Sequence, residues 1–138
     1  MDISLQFQGG HHFTGTDAKG MVTHFDAPID GADPLAASPM SIMLQSLAAC
    51  TSVDIVDILH KKRKTVTAFS VRVQAERADE HPRVFTSAVL HFTLTSPDAA
   101  LSDLERCIEL SQEKYCSVAA MFKRSGCALS STAEIIVA

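Results

Sequence analysis

Residues 38–54 read SPMSIMLQSLAACTSVD, and they open a helix. Ser38 offers a hydroxyl at the N-cap and Pro39 takes the first helical position, where its missing N–H is not needed. Nothing breaks the helix from there to about Lys62. Ile42, Met43, Leu44, Leu47, Ala48, Val53, Ile55, Val56, Ile58 and Leu59 cover almost its whole circumference, the pattern of a central helix enclosed on most sides. Gln45, Asp54, Asp57 and the run His60-Lys61-Lys62-Arg63-Lys64 speak against a membrane span. The cations read as a solvated cap that complements the negative end of the helix dipole.

Upstream, Ile3, Leu5 and Phe7 alternate with polar residues, as in a half-buried strand. Gly9-Gly10 marks a turn, Phe13 sits in a short second strand, Asp17–Gly20 turns again, and Met21–Asp26 reads as a third strand. Ala27–Ser38, with Pro28, Gly31 and Pro34, is a loop. Downstream, Val66–Arg77 and Arg83–Thr95 form a long hairpin. Ser96-Pro97-Asp98 repeats the cap-plus-proline signal, and Leu101, Leu104, Ile108 and Tyr115 trace an amphipathic helix to about Lys114. A short helix over Ser117–Lys123, stopped by Ser125-Gly126, and a strand over Leu129–Val137 complete the order. The whole is α+β with antiparallel pairing, in a single domain over residues 1–138. A chain this short has too few other elements to enclose a helix that is apolar nearly all round, which predicts a homodimer.

The 138 residues are 46% hydrophobic and 20% charged, which excludes a disordered or low-complexity chain. A formal charge of -4 supplies no positive field to recruit nucleic acid or an anionic membrane, so neither is an expected partner. Met1–Gly10 lacks the basic and apolar regions of a signal peptide, which predicts a cytoplasmic chain with reduced thiols.

Four cysteines, at positions 50, 107, 116 and 127, are the candidate chemistry. They contain no C-x-x-C pair and no histidine stands at finger spacing, so no metal site is expected. Buried inert thiols and a redox pair both remain open. Cys50 lies in the middle of the central helix, where the plain reading is a small core hydrophobe. Asp54 follows one turn later on the same face and disfavours a thiolate. Cys116 precedes Ser117 at the start of a helix, where free N–H groups and the dipole favour one. Cys107 and Cys127 have no electropositive setting and read as packing. His11 and His12 are the one adjacent histidine pair, in the Gly9-Gly10 turn.

The stretch 38–50, followed about 65 residues later by Glu113-Lys114-Tyr115-Cys116-Ser117-Val118, resembles the OsmC/Ohr family of thiol-dependent hydroperoxide-detoxifying proteins. Cys50-Thr51-Ser52-Val53-Asp54 and Glu80-His81-Pro82-Arg83-Val84-Phe85 place the resemblance nearest the OsmC-like branch. It implies antiparallel sheets wrapped around long central helices in an intertwined homodimer, with no bound cofactor. It also implies the reduction of an organic hydroperoxide in oxidative-stress defence. Cys50 would attack the peroxide, Cys116 would resolve the sulfenic acid as a disulfide, and a dithiol reductant would restore both.

Catalytic members of the family resemble one another in a glutamate at the start of the central helix and an arginine from the N-terminal meander that activates the thiolate. Here Met40 or Ser41 stands at the glutamate's place, and the first arginine in the chain is Arg63. The family's Gly-Gly-Arg segment looks most like Gly9-Gly10-His11, which makes His11 or His12 the candidate thiolate-activating residue. A histidine, mostly neutral near pH 7, is the weaker activator, and the lost contacts would slow turnover on the order of a hundredfold or more. The alternative is a small-ligand-binding or redox-sensing dimer of the same fold without efficient turnover. A third reading leaves all four cysteines structural.

Overall fold

The structure, a computed structural model, describes residues 1–27 and 31–138; Pro28 of the expected loop lies outside the described residues. The chain divides into two compact units, Met1–Leu44 and Gln45–Ala138.

In the first unit, β1 (Ile3–Phe7), β2 (Phe13–Asp17) and β3 (Val22–Phe25) form an antiparallel meander in that order. Gly9 and Gly10 both adopt positive φ, 107° and 56°, which a side chain would resist, and the His12 N–H closes the turn on the Gly9 carbonyl at 2.9 Å. Phe7 lies opposite Phe13 with ring centroids 5.6 Å apart. The alternation of β1 is as the sequence predicts, but its burial is not. Ile3, Leu5 and Phe7 are 72%, 55% and 66% exposed. Past β3, the Asp26 carboxylate accepts the N–H groups of Ala27 and Leu35, each at 2.8 Å.

Helix α1 (Pro39–Lys61) begins as its first residues dictate, with the Ser41 N–H donating to Ser38 Oγ at 3.2 Å. It ends at Arg63, whose φ of 58° lets the Lys64 N–H reach back to the Leu59 carbonyl. Its buried residues are Leu47, Thr51, Ile55 and Leu59, one stripe at a spacing of four. The enclosure expected for α1 is therefore partial: Ala49 and Val53, on the opposite face, are exposed.

The second sheet runs β4 (Ala68–Arg77), β5 (Phe85–Thr95), β6 (Ala128–Ile136), in that order. Phe69 faces Leu94 and Val73 faces Leu90 across the antiparallel pair, while Ala88, Leu90, Phe92 and Leu94 of β5 are the core. β5 and β6 pair in parallel, which departs from the all-antiparallel expectation. The chain between them is a helical crossover, and that length returns it to the starting end of the sheet.

The crossover is α2 (Leu101–Leu110), a π-helical turn at Ser111–Tyr115, and α3 (Ser117–Arg124). The sequence places the start of α2 too early and carries its α-helical form too far. Ser96 Oγ accepts the N–H groups of Asp98 and Ala99, so Ser96 and Pro97 build a turn, and the helix begins only after Ala100. There the Asp103 carboxylate accepts the Ala100 N–H at 2.9 Å. At the far end of α3, Gly126 takes φ 93° and the Cys127 N–H returns to the Phe122 carbonyl, as the stop signal predicts.

Candidate active site

Cys50 and Cys116, one at mid-α1 and the other 66 residues later, meet in the second unit. Both are free thiols, and they lie in hydrogen-bonding contact. Cys50 is half-buried and Cys116 only 4% exposed. Cys116 ends the π-helical turn and is also the N-cap of α3, with extended backbone at φ -77°, ψ 107°. Its Sγ accepts the Ala119 N–H at 3.3 Å, a cap normally made by an oxygen. The Val118 N–H from the same helix end is directed at the sulfur of Cys50. The start of α3 thus presents one backbone donor to each thiol.

Thr51 and Ser111 complete the cluster, and both are fully buried. Thr51 Oγ1 lies 3.0 Å from the Leu47 carbonyl and 3.5 Å from Cys116 Sγ. Ser111 Oγ donates to Asp54 Oδ2 at 2.8 Å, with the Thr51 carbonyl at 3.4 Å, and the Ser111 carbonyl accepts the Cys116 N–H at 2.7 Å. The π-helical turn that carries Cys116 is in this way pinned to α1 one turn beyond Cys50.

Burial pushes the Cys50 thiol above its ordinary value of 9.0; the Val118 N–H opposes the rise, while Cys116 and the Asp54 carboxylate add to it. The carboxylate effect is the one that the i, i+4 spacing predicts. Cys107 and Cys127, buried on α2 and after α3, are also pushed up, in both cases by burial first. They have the character of packing thiols, with neither brought to the pair.

His11 and His12 lie in the first unit. His11 is exposed at the β1–β2 turn, and His12 Nε2 makes a 3.2 Å hydrogen bond with Nδ1 of His24, a partner the sequence did not suggest. The two rings stack with centroids 5.5 Å apart. His11 and His12 border a cavity of about 380 Å³ with Gln8, Asp26 and Leu35.

Sequence reasoning singled out both cysteines and Asp54 but passed over Thr51 and Ser111. Thr51 carried a signal, as the neighbour of Cys50 on a face with Leu47 and Ile55. Ser111 carried none, since the π-helical turn that buries it looks like ordinary amphipathic helix.

A sheet flanked by a helical crossover, with two free thiols meeting at the start of its last helix, defines an α+β protein of the OsmC type. The chain belongs to the OsmC-like protein family, whose model matches residues 30–131. Protein YhfA of Escherichia coli K12 is 35% identical to it over 125 residues, 91% of each chain. A hypothetical protein from Aquifex aeolicus superposes with a TM-score of 0.82 at 25% identity, over 98% of this chain and 96% of that one. The organic hydroperoxide resistance protein OsmC from Legionella pneumophila shares the fold at a TM-score of 0.67 and 12% identity, covering 99% and 98% of the two chains. For the organic hydroperoxide resistance protein OhrB of Bacillus subtilis the values are 0.61 and 14%, covering 96% of each.

Proposed function

We propose that this protein reduces organic hydroperoxides in a two-cysteine cycle, as a cytoplasmic homodimer whose two units form one OsmC-like domain. The observation that carries the reading is the contact between the free thiols of Cys50 and Cys116 at the start of α3. Family membership supports it, as do the names of the Legionella and Bacillus relatives. Cys50, the more exposed of the two, attacks the distal peroxide oxygen as thiolate. The O–O bond breaks, Cys50 becomes a sulfenic acid, and the alkoxide takes up a proton and leaves as an alcohol. Cys116 then attacks the sulfenic sulfur, water departs, and a disulfide remains, which a dithiol reductant opens by exchange. His11 or His12 is the candidate for the cation that the chain lacks at the arginine position, and an apolar pocket around the central helix would favour alkyl or lipid-like peroxides over hydrogen peroxide.

Titrating free thiols against cumene hydroperoxide tests the cycle. The expected result is a rapid loss of two thiols per chain with a Cys50–Cys116 disulfide in the peptide map. Cys50→Ser should abolish the loss, and Cys116→Ser should leave a sulfenic acid that dimedone traps. No disulfide and no dependence on Cys50 would remove the reading. A second reading, a redox-sensing dimer, is favoured by the upward push on the Cys50 thiol. Its mark would be slow oxidation of one equivalent with no turnover on added dithiol.

A further inference from the structure

The Asp54 carboxylate has no part in the two-cysteine cycle, yet it is half-buried, one turn beyond Cys50, and held at a fixed point. Two contacts, both through Ser111, tie it to the segment that carries Cys116. Ser111 Oγ donates to Asp54 Oδ2 at 2.8 Å. The same serine accepts the Cys116 N–H through its carbonyl at 2.7 Å. Ser111 is fully buried, so its hydroxyl has no water to exchange into. A carboxylate free to swing on a helix surface is screened by solvent more than one held half-buried at a fixed point.

We propose that Asp54, anchored by Ser111, is a positioning residue that restrains the reactivity of Cys50. The inference rests on the cysteine pair being the reactive centre and adds a regulator to it. From α1 the charged group facing Cys50 is Asp54; from the start of α3 the facing groups are the Cys116 thiol and the Val118 N–H. Asp54 itself borders a cavity of about 490 Å³ with Asp57, Lys61 and Tyr115, where Lys61 is committed to Asp57 at 2.8 Å. Among the described residues no lysine or arginine forms an ion pair with Asp54, whose field raises the neighbouring Cys50 thiol. The serine sets where that field falls.

The test is the pH profile of Cys50 alkylation by iodoacetamide, read per cysteine by mass spectrometry in the full chain, where the thiolate displaces iodide and no peroxide is involved. Asp54→Asn keeps an acceptor for Ser111 and removes the charge. It should raise the rate at Cys50 near neutral pH roughly threefold. Ser111→Ala leaves the charge but releases it, and should raise the rate in the same direction by a smaller factor. An unchanged profile in Asp54→Asn, or a Ser111→Ala variant indistinguishable from the native chain, would overturn the proposal, whatever happens to the melting temperature. Should Asp54→Asn not fold, Ser111→Ala decides alone. Because alkylation needs no hydroperoxide, a protein that forms no disulfide with cumene hydroperoxide would fail the proposed function while still reporting on Asp54.

Discussion

The four thiols of this chain are chemically alike as a count and different as sites. Cys107 has 0% of its surface exposed and Cys127 4%, and burial raises both above the ordinary thiol value of 9.0, as it does Cys50. The consequence for stability has a definite sign. A thiol that resists ionisation when folded contributes stability that is fully present below the unfolded value of 9.0, and that contribution is lost as pH rises through the folded values. The melting temperature should therefore fall as pH is raised from about 8 to about 11, and fall less steeply in a Cys107→Ala, Cys127→Ala double variant. An equal slope in the two proteins would mean that these thiols do not titrate with unfolding. The variant should lose about 1 kcal/mol per site at neutral pH from the emptied volume, with thiol loss to peroxide unchanged. At this scale the sequence is informative where chemistry is local: Asp54 acts on Cys50 through helical spacing, which can be counted. Thr51 meets Cys116, and Ser111 meets Asp54, across some sixty residues, and no spacing rule encodes such a contact.

The elements were legible in proportion to how much of their definition is local. The start of α1, with Ser38 and Pro39, and the stop of α3 at Gly126 follow from single residues whose backbone needs are strict. Ser96-Pro97 uses the same letters as Ser38-Pro39 but makes a turn instead, because the Ser96 hydroxyl finds the N–H groups of Asp98 and Ala99. The π-helical turn at Ser111–Tyr115 is set by tertiary contacts, above all Ser111 on Asp54. It delivers Cys116 to two tasks, the thiol partner of Cys50 and the N-cap of α3. These can be separated by mutation. Cys116→Ser keeps an acceptor for the Ala119 N–H and should unfold at nearly the native urea concentration, whereas Cys116→Ala loses the cap and should cost about 1 kcal/mol. Both should fail to form the disulfide. If urea unfolding finds the alanine variant as stable as the serine variant, the sulfur is not acting as a cap.

On the scale of the whole molecule, the apolar surface is out of balance with a single chain. Ile3, Leu5 and Phe7 share one face of β1 at 55% to 72% exposure, and on α1 Met43 and Val53 are 48% and 69% exposed. The apolar circumference of α1 was readable from residues 42–59; which chain covers it was not, because burial is a property of the assembly. By length and composition alone α1 is also a helix able to cross a membrane, with a mean hydropathy of 1.6 over its best window, so lipid is the rival cover. The half-buried Asp54 and the Asp57–Lys61 ion pair argue for protein instead, since charges in hydrocarbon are costly. A second copy brings an apolar face of the same kind and can hide both. The native chain should therefore sediment as two chains at micromolar concentration without detergent. Val53→Lys, which places a charge on the exposed face of α1 opposite Leu47, Thr51 and Ile55, should shift it toward one chain, and Leu5→Lys should do the same from the sheet. A native protein that sediments as one chain in buffer, or that stays in solution only with detergent, would leave α1 to some other cover and remove the homodimer from the proposed function.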